Sequence, residues 1–242
     1  ILYLGIELLS LSLYTLIGFN KKSIFSSEAA VKYYVLGAIS SGFLLFGISL
    51  IYGLTGTLSL IEIFDFIKNI QADPASMDLY NVGLIFSLTF ILVSLAFKFG
   101  AAPFHMWIPD VYDGALIPTT LLLSTLPKIA IFIVLIKLLV NAFAGLFVFW
   151  SEMILILSII SILVGNIIAI AQSNIKRMLA YSTIANIGFI LIGISLGSKE
   201  AYEASMFYTL SYVIMTMAAF GVLLLITFDK KAIEQINDLK GL

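Results

Sequence analysis

The sequence predicts an all-α integral membrane protein, a polytopic bundle of about seven transmembrane helices, one of them broken near Lys98–Pro103. Three observations predict it. Hydrophobic residues make up 61% of the 242 and charged residues 11%, against about 25% charged in an average soluble domain. Mean hydropathy is +1.12. Seven apolar runs, 1–19, 33–58, 79–97, 118–136, 146–171, 178–197 and 205–228, are long enough as helix to cross a bilayer core, which takes roughly 20 residues. The runs are continuous and do not alternate, which argues against a β-barrel.

The first run carries Tyr3, Glu7, Ser10 and Tyr14 at i, i+4, i+7 and i+11. That spacing is one polar face on an apolar helix, which must look at protein or trapped water. The second run offers Gly37 with Ser41 and Ala38 with Gly42 as small-xxx-small packing pairs. A loop over 62–78 follows, with Glu62, Asp65, Asp73 and Asp78. The third run stays apolar to residue 108. About 30 residues of helix would be about 45 Å long, too long for one straight span. Lys98, Gly100 and Pro103 lie inside it, and proline removes a backbone donor, so the break belongs there.

Asp110 and Asp113, within Pro109 to Gly114, read as turn and cap residues on a tight loop. The fourth run holds Lys128 at its middle, just after Pro127. Lys137, nine residues on, reads as a helix-end anchor that snorkels. Gln172, Asn174, Lys176 and Arg177 form a short basic turn between the fifth and sixth runs. No stretch has the composition of a separate soluble domain.

Seven spans alternate sides. One side receives Lys21, Lys22, Lys32, Lys176, Arg177, Lys230, Lys231 and Lys240; the other receives Lys68, Lys137 and Lys199. The positive-inside rule makes the first side the cytoplasm, or the matrix of a mitochondrion. The 13 basic and 14 acidic residues give a net charge of −1, so there is no basic field for nucleic acid. There is no cysteine and one histidine. Thiolate-held iron–sulfur or zinc sites and bis-histidine haem are excluded on that count, and no cofactor or metal is expected. No Walker loop, dinucleotide fingerprint, zinc helix or nucleophile elbow occurs. Arginine occurs once against 12 lysines, a bias of AT-rich genomes, organellar or bacterial. Ile1, inside an apolar run and without a signal-peptide pattern, reads as an internal start.

Three charges are candidates for the bilayer interior: Glu7, Lys98 and Lys128. Each costs about 2.5–3.5 kcal/mol at a bilayer centre on insertion scales. Glu7 and Lys98 have opposite sign and are expected to pair. Lys128 is too deep to snorkel. Burial disfavours a charged amine and a nearby carboxylate favours it, so a lysine between the two influences changes protonation when its neighbour moves. That is proton-relay chemistry, and it needs no cofactor. The alternatives are a structural ion pair at Lys128, a hydrogen-bonded carboxyl at Glu7 and an ordinary helix end at Lys98. His105, flanked by Phe104 and Trp107, is either a donor at the basic-side mouth or an interface residue bonding nearby backbone.

The run from Lys98 through Pro103-Phe104-His105-Met106-Trp107 to Asp110-Val111-Tyr112-Asp113-Gly114 resembles the broken-helix signature of NADH–quinone oxidoreductase subunit 2, an antiporter-like subunit of respiratory complex I. Gly5 to Tyr14, Ser27 to Tyr34 with Gly37 to Gly42, and Lys176 to Ile184 agree with it. The resemblance implies an inverted-repeat channel. In it Glu7 matches the family's membrane glutamate, Lys98 the lysine at the first broken helix and Lys128 the central lysine. Residues 1–242 would be one transmembrane domain, the central part of a longer or split subunit. The family's second broken helix follows a segment like Asn237 to Leu242, and Asn186 stands where many relatives carry histidine.

The implied function is proton translocation coupled to quinone reduction in partner chains. The implied partners are other membrane-arm subunits, neighbouring antiporter-like subunits, a second chain completing this one, and lipids. The implied location is the mitochondrial inner membrane, or alternatively a bacterial plasma membrane. An unrelated proton-coupled transporter and a purely structural subunit are the competing readings.

Overall fold

The computed structural model describes residues 1–72, 74–229 and 235–239, with no side-chain description for 72–79, 228–234 and 239–242. The described residues are helical throughout, apart from connections and one isolated bridge, Asn174 to Gln235. In chain order the helices are α1 (Leu2–Ile17), α2 (Ile24–Thr55), α3 (Leu60–Ala72), α4 (Pro74–Phe99), α5 (Trp107–Gly114), α6 (Ile117–Ile136), α7 (Phe147–Ile170), α8 (Ile175–Ser195) and α9 (Lys199–Asp229). A π-helical turn, Lys137–Ala142, extends α6, and short 3-10 turns cover Ala144–Leu146 and Ile236–Leu239. Among the described residues six helices are long and apolar enough to cross a membrane, and α1 is a shorter apolar helix. Together they occupy the seven expected runs.

Two connections differ from expectation. The segment expected as a loop over 62–78 is α3 up to Ala72, and Pro74 already opens α4. The reason is amphipathic spacing: Ile63, Ile67 and Ile70 are buried on one face, while Glu62, Asp65 and Lys68 face out. Gln71 Nε2 ties α3 to the Gly145 carbonyl. Asp73 and the side chain of Asp78 lie outside the described residues. The segment expected as a tight loop around Asp110 and Asp113 is the helix α5. Trp107, Ile108, Val111 and Tyr112 are buried there, and Asp110 sits in the first turn, where a carboxylate suits the positive end of the helix dipole.

Caps set other boundaries. Ser23 Oγ accepts from the Ser26 amide at the start of α2. Asn174 Oδ1 accepts from the amides of Lys176 and Arg177 at the start of α8. The longest interfaces are α2 against α4 and α7 against α8. Small and hydroxyl residues bring these backbones together: Ser87 Oγ donates to the Gly47 carbonyl at 2.9 Å, Ser40 and Ser94 share a bond of 3.0 Å, and Ser158 Oγ donates to the Gly188 carbonyl at 2.7 Å. Ala38 and Gly42, expected as a packing pair, face outward. The buried stripe of α2 is instead Tyr33, Gly37, Ser40, Ser41, Leu44 and Gly47. Large apolar side chains such as Ile39, Ile167, Ile170, Phe207 and Leu225 stand exposed, as a lipid-facing surface requires.

Candidate functional site

The polar centre begins where α4 ends. Lys98 lies in its last turn, where a cation suits the negative helix end. Gly100 leaves the helix at φ +92°, a left-handed conformation that favours glycine. The amides of Gly100 and Ala101 both turn back to the Ala96 carbonyl, at 2.8 and 2.9 Å. An interruption follows until Trp107. The helix break expected between about 96 and 104 is therefore present.

A break strands backbone groups that cannot find water in a bilayer. Three side chains from three elements satisfy them. The Trp107 indole donates to the Phe97 carbonyl at 2.9 Å, Ser161 on α7 accepts from the Ala102 amide at 2.8 Å, and Lys128 Nζ donates to the Phe99 carbonyl at 2.8 Å. Lys128 is fully buried at mid-α6, and its amine also sits 5.0 Å from the centroid of the Trp107 ring. Pro127 does not interrupt α6.

One residue before Phe99, Lys98 meets Glu7 Oε1 at 3.1 Å. The expected pair thus forms across the α1–α4 interface. Ser10 Oγ and Ser41 Oγ accept the other two donations of the ammonium, each at 3.1 Å. Ser41 also donates to Glu7 Oε1 at 2.6 Å. All three protons of the amine have acceptors. The side chain of Glu7 keeps 20% exposure against 6% for Lys98. Tyr14 belongs to the same face and lays its hydroxyl against Gly37.

The structure pairs Glu7 with Lys98 and sets Lys128 against the break, and it adds contacts the sequence did not mark, those of Ser41, Ser161, Trp107 as a backbone donor and the Phe99 carbonyl. Ser41 was visible only as a small residue. A tryptophan within a break was a usable signal, since a buried indole must find an acceptor.

The basic side gathers a second cluster. Lys32 pairs with Asp110; Arg177 reaches Asp110 at 3.0 Å and Asp113 at 3.7 Å. Lys176 Nζ caps the end of α5 through the Asp113 and Ala115 carbonyls, at 3.1 Å each. A cavity of about 760 Å³ opens beside these groups. Lys230, Lys231 and Lys240, counted with this side, lie outside the described residues. Lys137 is exposed near the opposite end, beside Asn141 and Leu60. The half-buried His105 ring lies 6.4 Å from that of Tyr181. Asn186 accepts from the Tyr208 hydroxyl at 2.7 Å. Among the described residues no group of acidic or imidazole side chains is placed to hold a metal.

The fold and site define a membrane helix bundle whose α4 breaks off at a segment stitched to a buried lysine. The chain belongs to the family described as NADH:quinone oxidoreductase/Mrp antiporter, transmembrane, whose model matches residues 1–242. It is similar, at 49% identity over 241 residues, to the NADH-quinone oxidoreductase subunit N of Thioalkalivibrio sulfidiphilus (strain HL-EbGR7), covering 100% of this chain and 49% of that protein. Among solved structures it resembles a chain of the membrane-bound sulfane sulfur reductase, an archaeal respiratory membrane complex. There the TM-score is 0.84 and identity 27%, over 99% of this chain and 47% of that one. It also resembles a chain of respiratory complex I from Thermus thermophilus with bound aureothin, with TM-score 0.69 and 37% identity over 91% of this chain and 45% of that one. The chain spans about half the length of the curated relatives it matches.

Proposed function

We infer that residues 1–242 act as one transmembrane domain within a proton-translocating membrane-arm subunit of NADH–quinone oxidoreductase, of the subunit N type that corresponds to subunit 2 in mitochondria. The remaining helices of that subunit lie on the same polypeptide or on a second chain. Identity near one half over the whole chain to bacterial subunit N proteins supports the assignment. The same relatives favour a bacterial plasma membrane over the mitochondrial inner membrane. Other membrane-arm subunits, neighbouring antiporter-like ones among them, and lipids would cover the apolar outer face. Quinone reduction in partner chains would supply the energy.

One observation carries the mechanism: the fully buried Lys128 amine is held by the carbonyl one residue beyond Lys98, whose own amine is held by Glu7. Two ammonium groups repel across a low dielectric more strongly than they would in water. When Glu7 faces Lys98, the pair is neutral and Lys128 accepts a proton. When Glu7 withdraws, the uncompensated Lys98 ammonium drives the proton off Lys128. Catalytic roles for Glu7, Lys98 and Lys128 follow, and no redox group is needed on this chain. Native gels of solubilised membranes, stained for NADH–quinone reductase activity, test the assignment. The chain is expected in the large active band. Migration alone, with reductase activity elsewhere, would favour a separate transporter.

A further inference from the structure

On the side opposite the basic one, α3 and the end of α6 enclose a cavity of about 570 Å³ that the ion-pair chemistry leaves unused. Its polar lining is Lys137 and Asn141 on the π-helical turn and Ser59 just ahead of α3. Ile61, Phe64 and Val140 belong to its apolar lining. The Phe143 amide closes the turn on the Leu138 carbonyl at 3.0 Å, an i→i+5 bond; such turns recur at functional sites. Lys137 and Asn141 are four residues apart and share one side of the turn. The α3 wall is pinned to the same connection. Gln71 Nε2 donates to the Gly145 carbonyl, and a Cβ at Gly145 would meet Ile67 at 2.7 Å.

The polar lining has donors to spare. Among the described residues the Lys137 ammonium, the Asn141 amide and the Ser59 hydroxyl carry no ion pair and no side-chain hydrogen bond. The ammonium offers three donors, the amide two and the hydroxyl one. Glu62 and Asp65 on α3 lie outside the lining, and Glu62 already accepts from Thr57 Oγ1. Lys137 is thus the one charged side chain on the cavity wall among the described residues. A cation flanked by neutral donors suits an anionic group that only accepts.

The surface beside the cavity selects the source of that anion. Leu126, Ala130, Ile133 and Lys137 are spaced i, i+4, i+7 and i+11, one face of α6. Leu126 and Ile133 are each 55% exposed, and Ile61 is 73% exposed. From Lys137 to Leu126 is about 16 Å along the axis, about half of a 30 Å hydrocarbon core. An apolar strip one leaflet deep thus ends at a cation, at the depth where a phospholipid passes from acyl chain to phosphate. Free phosphate would use the cation and leave the strip bare. We propose that this cavity binds the phosphodiester of a phospholipid in the leaflet opposite the basic side. Lys137, Asn141 and Ser59 donate to the phosphate oxygens, and an acyl chain lies along Ile133 to Leu126. The site stands apart from the relay role given to Lys128.

The test uses the assembled complex, reconstituted in vesicles of phosphate-labelled phosphatidylglycerol mixed with a phosphate-free diacyl glycolipid. A photoreactive benzophenone side chain at Ile61 reports what occupies the cavity, and light is expected to attach labelled phospholipid to this chain. Lys137→Met is expected to cut that yield about fivefold, the factor that about 1 kcal/mol per lysine near an anionic surface gives. Lys137→Arg, which keeps the charge, should hold the yield near the wild-type level. Lys199→Met removes an exposed lysine on the same side but outside the cavity and should leave the yield unchanged. If Lys137→Met fails to assemble on a native gel, Asn141→Ala decides in its place, with a lowered yield expected. A yield that ignores Lys137 and Asn141, or that falls equally in Lys199→Met, means ordinary surrounding lipid and overturns the proposal. Attachment to another subunit in place of lipid overturns it in favour of a protein occupant. Loss of the yield on adding inorganic phosphate, with chloride at equal ionic strength inert, overturns the lipid source in favour of free phosphate.

Discussion

Removing one partner of the Glu7–Lys98 pair should be far more harmful than removing both. The ammonium of Lys98 has three acceptors, Glu7 Oε1, Ser10 Oγ and Ser41 Oγ, all at 3.1 Å. Glu7→Gln keeps an oxygen for it but deletes the compensating charge. Hydrogen bonds to charged groups contribute about 1.5–3 kcal/mol, so a loss of about 1–2 kcal/mol is expected. Glu7→Leu takes away the acceptor as well and leaves a buried charge alone, which costs about 3–5 kcal/mol in buried pairs. Because Glu7 keeps 20% exposure, water softens this, and about 3 kcal/mol is expected. Glu7→Leu with Lys98→Met removes both charges from an apolar setting and should recover much of the loss. The double-mutant cycle should give a coupling of about 1–3 kcal/mol. Unfolding midpoints of the purified chain in mixed detergent micelles measure it. Strict additivity of the two single changes, or an unaltered midpoint for Glu7→Leu, would refute the pair as the electrostatic anchor of the break.

Gly100→Ala places a side chain at φ +92° and drives its Cβ into Ile108. A loss of about 1–3 kcal/mol is expected, seen as a lowered unfolding midpoint, together with weaker proton uptake because Phe99 shifts under the Lys128 amine. Gly37→Ala sets a Cβ against the Tyr14 hydroxyl, and Tyr14 is hemmed by Tyr33 and Tyr34 at ring distances of 4.8 and 5.6 Å; the same assay should show a loss of about 1–3 kcal/mol. Ser173→Cys introduces one cysteine into a cysteine-free chain, at an exposed position between α7 and α8. A membrane-impermeant maleimide should label it from the cytoplasmic side alone, and labelling from the other side would reverse the orientation.

The spans were legible because a bilayer demands long apolar runs; among the described residues six spanning helices and the shorter α1 lie where the seven runs fall. The break was legible because the third run is too long and contains Gly100 and Pro103. What stayed hidden was local and three-dimensional. The helix α3 read as a loop because Glu62, Asp65 and Lys68 dominate its composition, while Ile63, Ile67 and Ile70 bury its other face. The helix α5 read as a turn because Pro109, Asp110 and Gly114 are common in turns. Ser41 and Ser161 carry no charge to mark them. Their importance comes from the groups opposite, an ammonium and a stranded amide, and no spacing within one helix reveals those. The partner of Lys128 was hidden most deeply, because it is a backbone carbonyl.

The central claim is that Lys128 carries the moving charge. Its most direct test is the number of protons taken up per electron, measured in sealed inverted vesicles driven by NADH, for Lys128→Met against the wild type. Methionine keeps the apolar stem that lies near Trp107 and removes the titrating nitrogen. A relay lysine predicts a complex that assembles normally on native gels yet translocates fewer protons per electron, or turns over more slowly where pumping and electron transfer are locked together. Wild-type stoichiometry and turnover in the fully assembled Lys128→Met complex would contradict it.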